Sequence, residues 1–145
     1  MKNARYVRSF KELLVYQKAN EVTKIIFDIS RKFPKEELYS LTDQIRRSSR
    51  SIGAQIAEAW GKRRYEKHFV SKLTDADAER LETQHWLDVT IACEYISKDE
   101  KENLEMQLEE IGRMLNAMMT KSYLFCKQDF IIIKEEPNEF LIEDT

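Results

Sequence analysis

Residues 41–61 read LTDQIRRSSRSIGAQIAEAWG. Leu41, Ile45, Ser48, Ile52, Gln55 and Ala59 recur at alternating steps of four and three, with Ile56 beside the row, which is the stripe of one helix face packed in a bundle. Arg46, Arg47 and Arg50 fall on the opposite side. Two more segments carry the same period. Val15, Ala19, Val22, Ile26, Ile29 and Phe33 form one stripe; Leu104, Leu108, Ile111, Leu115, Met118, Ser122 and Phe125 form another. Rods of this kind joined by short connections run antiparallel.

Helix boundaries are marked as well. Ser9 with Glu12, Ser40 with Asp43, and Ser97 with Glu100 each set a hydroxyl three residues before an acid, the pattern of an N-terminal capping box. Pro34 ends the first helix near Phe33, and Gly61 offers a left-handed C-cap to the second. The expected fold is all-α: an antiparallel up-down four-helix bundle over residues 1–128, with helices at about 9–33, 40–61, 65–96 and 98–126. An acidic tail follows at 129–145. Composition agrees. Among 145 residues there are only 3 Gly and 2 Pro, too few for the turns of a sandwich or barrel. Gly53, Gly61 and Gly112 lie too far apart to cradle a phosphate.

The N-terminus lacks an apolar signal core and the longest aliphatic run of the tail is Ile131–Ile133, so no secretion signal or membrane span is expected. Cys93 and Cys126 make neither a disulfide framework nor a CxxC pair, and a reduced, cytoplasmic protein is expected. Charge is strongly polarised: residues 1–72 hold 17 Lys/Arg against 8 Asp/Glu, and residues 73–145 hold 7 against 18. The basic half suits a polyanion, or the acidic half of a neighbour.

The third helix differs from the others. Phe69, Leu73, Ala76, Leu87 and Ile91 form one stripe, interrupted by Arg80 and Gln84, for which Ser48, Gln55 and Glu58 on the second helix are the expected partners if the pair is buried. Ala78, Trp86, Val89, Cys93 and Ile96 form a second stripe nearly opposite. It either fills irregular space in the bundle or is a subunit interface centred on Trp86, Val89 and Cys93; the richness of Trp in interface cores favours self-association. The tail carries six Asp/Glu and two apolar beads, Phe130–Ile133 and Phe140–Ile142. A frayed end and a segment docked along a groove, its own or a neighbour's, both fit.

Candidate chemistry is sparse. Glu82-Thr83-Gln84-His85 matches one Glu-x-x-His element of di-iron bundles, but that chemistry needs two, and Tyr65 stands three residues before the other histidine, His68. Cys93 and His85 are eight residues apart on one helix, too far to pair. No catalytic residue, metal site or cofactor is expected, and the protein is read as a non-enzyme. The strongest functional candidate is the basic segment: Arg46, Arg47 and Arg50, then Lys62, Arg63, Arg64 and Lys67, with Trp60 and Tyr65 placed to stack on bases. Guanidinium forks donate paired hydrogen bonds to phosphate.

At these residues the sequence resembles the bacterial four-helix bundle proteins encoded by intervening sequences in 23S ribosomal RNA genes, with the accessory proteins of diversity-generating retroelements as relatives. The matching elements are Phe10-x-x-Leu13-x-Val15-Tyr16-Gln17-Lys18-Ala19, Phe33-Pro34-x-Glu36, Tyr39-x-Leu41-Thr42-x-Gln44-Ile45-Arg46-Arg47, Ser51-Ile52 and Ile56-Ala57-Glu58, continued by Phe69, Leu73 and Glu82-Thr83-Gln84. The resemblance implies a homopentamer arranged as a barrel, association with RNA or DNA, and, in the retroelement relatives, a reverse transcriptase partner. It brings no catalytic residues. The family pattern has a proline, an asparagine and a glycine where this chain has Gly53, Gln55 and Ala59. Its retroelement members are strongly basic, whereas the net charge here is −2.

Overall fold

Four amphipathic stripes bury one another in the computed structural model, which describes residues 5–126, 131–132 and 140. The helices are α1 (Leu14–Ser30), α2 (Leu41–Gly61), α3 (Glu66–Ala92) and α4 (Lys98–Thr120), with a last short turn α5 (Tyr123–Cys126). Each long helix packs on its two neighbours in the cycle α1–α2–α3–α4, the α2–α3 seam being the most extensive. The core runs the length of this four-helix bundle, from Leu13 and Phe69 at one end to Phe33 and Ile96 at the other.

The α1 and α4 stripes fall where their spacing puts them, with Val15, Ala19, Val22 and Ile26 buried on one and Leu104, Leu108, Ile111, Leu115 and Met118 on the other. On α1, Ser30 is buried while Ile29 is only half-buried. The helix narrows before Pro34: the amides of Lys32 and Phe33 donate to Ile29 and Ser30, a tighter pitch ending at the proline.

The three cap patterns have three outcomes. Ser97 and Glu100 form a complete capping box on α4. Ser9 and Glu12 bond to Lys11 and Arg8 backbone amides around a single 3-10 turn, Phe10–Glu12, so that α1 starts only at Leu14. Ser40 makes no side-chain cap bond, because its backbone lies at φ −127°, ψ −109°, away from the extended geometry that aims a cap hydroxyl. Nor is Gly61 a left-handed cap: no described glycine has positive φ, and α2 closes through the amides of Lys62 and Arg63 on Ala59 and Trp60.

The third helix stops four residues before the expected Ile96. Glu94 takes φ 61°, its amide bonds Ile91, and Tyr95 bonds back to Thr90, which together make a Schellman stop. Tyr95 then packs on Phe33, ring centroids 5.6 Å apart.

Of the tail, the described part is docked on its own bundle. Ile131–Ile132 (β2) pairs antiparallel with Arg5–Tyr6 (β1), and Phe140 is buried at the end of the bundle. Phe130, Ile133, Leu141 and Ile142 lie outside the described residues.

The polar interruption of α3 resolves differently from expectation. Arg80 is buried, but its partners are Asp77 (Nε to Oδ1, 2.8 Å) and Gln84 (Nη1 to Oε1, 3.1 Å) on its own helix. Gln84 in turn donates to Glu105 and Glu109 of α4. The network therefore spans α3 and α4, and Ser48 instead meets the hydroxyl of Thr83 at 2.9 Å. Gln55 Oε1 is buried with no hydrogen-bond partner among the described residues. The physical reason is room: α4 has Gly112 opposite Arg80, and a Cβ there would lie 2.6 Å from the guanidinium carbon.

Candidate nucleic-acid interface

Arg46 and Arg50 project from α2 over α1 and meet there a feature that the sequence reading missed. Phe27, half-buried on the outer side of α1, is the centre of a ring of cations. Arg46 Cζ lies 4.8 Å from its centroid, Arg31 5.7 Å, Arg50 5.8 Å and Lys24 Nζ 5.8 Å. Cations over a π face are attracted by its quadrupole, so one ring gathers four side chains that would otherwise repel one another. Arg46 is oriented further by donating from Nε to Ser30 Oγ at 2.8 Å, which leaves its terminal nitrogens for a ligand. A signal was available: Lys24, Phe27 and Arg31 stand at helical spacing opposite the Val22–Ile26 stripe, and an outward Phe bracketed by bases is unusual on a solvated face.

Arg47 is directed elsewhere. It lies about 100° around α2 from Arg46, and its charge acts on Glu79 of α3. Burial, followed by Glu82 and Asp75, holds the Glu79 carboxyl above the ordinary range, with Arg47 acting in opposition. The arginine trio therefore straddles α2.

Arg31, Arg46, Arg47 and Arg50 make no ion pair among the described residues, whereas three lysines elsewhere on the bundle do. Lys18 meets Glu110 at 3.2 Å, Lys72 meets Glu58 at 2.8 Å, and Lys101 meets Asp88 at 3.2 Å. On the α1–α2 edge Lys24 is paired with Asp28 at 3.0 Å, and the positive charge left without a carboxylate is that of Arg31, Arg46 and Arg50.

The second basic group is separate. Arg46 and Lys62 are sixteen residues apart, roughly 24 Å along the axis. Lys62, Arg64 and Lys67 are exposed. Arg63 is not with them: it folds back, donating from Nε to the Trp60 carbonyl at 2.7 Å and laying its guanidinium 3.3 Å from the Trp60 ring. Burial lowers its pKa to about 10, still charged at neutral pH. Trp60 is 8% exposed and covered by Arg63, so it offers no platform to a base; Tyr65, 58% exposed, does, with Arg64 5.9 Å from its ring and His68 at 5.3 Å.

On α3, Trp86 and Val89 are half-buried against the core, and Cys93, the C-cap residue that follows the helix, is exposed. Trp86 Nε1 donates to Glu82 at 3.2 Å and its ring meets His85 edge-on at 4.7 Å. Exposed Leu81 and Met106 lie on α3 and α4. Among the described residues there is no group of three or more His, Cys, Asp or Glu able to hold a metal ion, and no helix long and apolar enough to cross a membrane.

Fold and surface together define a four-helix bundle with arginines clustered along its α1–α2 edge. The chain belongs to the 23S rRNA-intervening sequence protein family, whose model matches residues 11–117. Among solved structures it is similar to a protein of unknown function from the S23 ribosomal protein family of Bacteroides thetaiotaomicron VPI-5482. That pair is 30% identical with a TM-score of 0.66, covering 73% of this chain and 98% of the other. No curated protein matches.

Proposed function

We propose that this protein is a non-enzymatic, self-associating bundle, pentameric as the resemblance to its family implies, that binds RNA or DNA phosphates along its α1–α2 edge. Arg31, Arg46 and Arg50 around Phe27 make the primary contact and Arg47 extends it. Lys62, Arg64 and Lys67 form a second contact farther along the bundle. The observation that carries this reading is the set of guanidiniums of Arg31, Arg46 and Arg50 gathered around one ring with no carboxylate partner among the described residues, whereas Lys18, Lys72 and Lys101 are each paired with an acid. Guanidinium held by a ring and a hydroxyl is preorganised for phosphate and loses little freedom on binding.

The test is a fluorescence-anisotropy titration of structured RNA and duplex DNA at several salt concentrations. Replacing Arg46, Arg47 and Arg50 with alanine lowers affinity and reduces the slope of log affinity against log salt by about 2.7 for duplex DNA, near 0.9 per phosphate contact. Unchanged affinity and slope would remove the assignment. A second reading, a protein-interaction scaffold, is favoured by two exposed large apolar side chains, Leu81 on α3 and Met106 on α4. Under it the nucleic-acid titration is flat, and a partner protein protects those side chains from solvent.

A further inference from the structure

The bundle end where α1 begins and α4 finishes holds a single residue of the C-terminal segment through four kinds of contact. Phe140 is 3% exposed. Its ring meets Phe125 edge-on at 5.2 Å, and Phe125 stacks on Phe69 at 5.7 Å. Lys121 Nζ stands 5.7 Å from its centroid. Its carbonyl accepts the Leu14 amide at 2.7 Å. Leu14 opens α1, and the N-cap residue Leu13 has no side-chain acceptor to offer, so the carbonyl of the tail supplies the absent cap. Aromatic burial, an edge contact, a cation and one directional backbone bond are the elements of a pocket that recognises an extended peptide by an aromatic anchor.

The surroundings fit an acidic ligand. The loop with exposed Lys62, Arg64 and Lys67 leads into the first turn of α3, which carries Phe69 and also Glu66, the acceptor of the Ser122 hydroxyl at 2.6 Å, so these cations and Lys121 share the end of the bundle that holds Phe140. The anchor itself is set in Glu139-Phe140-Leu141, with Glu135, Glu136, Glu143 and Asp144 near it in sequence. The tether is short: Phe140, which meets the Phe125 ring, lies fourteen positions after Cys126, next to Phe125 in sequence, and Ile131–Ile132 between them pairs with Arg5–Tyr6. Short connections between two linked contacts give an effective concentration on the order of millimolar. Beyond the two-residue pairing of Ile131–Ile132 with Arg5–Tyr6, this contact rests on one anchor outside the helices, and such a contact opens without unfolding the bundle.

We propose that this end of the bundle is a recognition site for a phenylalanine-anchored acidic peptide. Its ligand is the chain's own C-terminal segment, held in cis in a single copy and exchangeable in trans with that of a second copy. The pocket is thereby occupied at rest and becomes a link between protomers when tails are exchanged. The site is distinct from the α1–α2 edge and stands whether or not that edge binds nucleic acid.

The test uses full-length protein and a labelled synthetic peptide of residues 134–145. Phe140→Ala protein, with its pocket vacated, binds the peptide in an anisotropy titration. Wild-type protein binds it about tenfold more weakly or worse, because the tethered tail competes. Replacing the phenylalanine of the peptide with alanine weakens binding about 10- to 150-fold, the worth of burying one such ring. No binding by a variant of native helicity, equal binding by wild type and variant, or indifference to the peptide's phenylalanine overturns the proposal.

A second measurement needs no variant. The Leu14 amide has no partner within α1, so its hydrogen exchange in wild-type protein reports docking directly. Protection above an open amide but well below the core amides is expected. Exchange as slow as the core, which would make the tail inseparable from the fold, or as fast as an open amide, which would make it undocked, overturns the proposal.

Discussion

Replacing Gly112 with alanine is expected to destabilise the protein, although alanine is the better helix former. Gly112 sits within α4 facing Arg80, and an added Cβ would lie 2.6 Å from Cζ, 2.7 Å from Nε and 2.9 Å from Nη2. Ordinary carbon contacts lie near 3.5–4.0 Å, so the guanidinium must retreat by about 1 Å. It has little freedom to do so, since Arg80 is buried and bound at 2.8 Å to Asp77 and 3.1 Å to Gln84. Loss of one such bond to a charged group costs about 1.5–3 kcal/mol. Alanine returns about 0.8–1 kcal/mol of helix propensity. The net loss is about 1–2 kcal/mol, which at roughly 2–4 °C per kcal/mol lowers Tm by about 2–8 °C. In an Arg80→Ala background the clash is gone, and the same Gly112→Ala change becomes stabilising by up to about 1 kcal/mol. Urea melts of the wild type, the two single variants and the double variant close this cycle, with a coupling of about 2–3 kcal/mol expected between the sites. If Gly112→Ala raised stability equally in both backgrounds, the reasoning would be wrong: the glycine would be incidental and the polar network indifferent to it.

Two further outcomes follow from local geometry. Glu94→Gly removes the strain of a side chain at φ 61° and should raise Tm by about 2–4 °C, corresponding to about 1 kcal/mol, as read by calorimetry; a fall would mean that the Schellman stop is not under strain. The Cys126 thiol is pushed up to about 11 from the ordinary 9.0, by burial and then by Glu66, with Arg63 opposing. At pH 8 its thiolate fraction is therefore about a hundredfold below that of an ordinary thiol. Alkylation followed by mass spectrometry should modify exposed Cys93 first, with Cys126 gaining about tenfold in rate per pH unit until near pH 11. Comparable rates at pH 8 would refute the burial argument.

Much of the architecture was legible because it is periodic. The steps of three and four through Leu104–Met118 and Val15–Ile26 dictate which face turns inward whatever the neighbours are, since the geometry of a helix is local. Ser97 and Glu100 lie within one helical turn and needed nothing beyond it. The resemblance carried by Tyr39–Arg47 and Ile56–Glu58 led to the family for the same reason: it is a linear pattern.

Three-dimensional placement settled the rest. Arg80 turned to Asp77 and Gln84 because a glycine on α4 left space beside it, and nothing in the sequence of α3 shows what stands opposite. Glu94 ended its helix without a glycine because Tyr95 gains a place on Phe33, a long-range contact repaying a local strain. Arg63 was indistinguishable in sequence from Arg64, yet the turn after Gly61 folds one over Trp60 and leaves the other in solvent. The cationic edge was half visible. The arginines of α2 were plain, but Lys24, Phe27 and Arg31 joined them only when α1 lay alongside. Phe140, an apolar bead in an acidic tail, became a cap for α1 because the start of that helix, more than a hundred residues earlier, had an amide without an acceptor. Sequence by itself determined what is periodic and local. Tertiary structure decided which charges meet, which are cancelled and where the tail ends, because those depend on distances between residues that the chain does not place side by side.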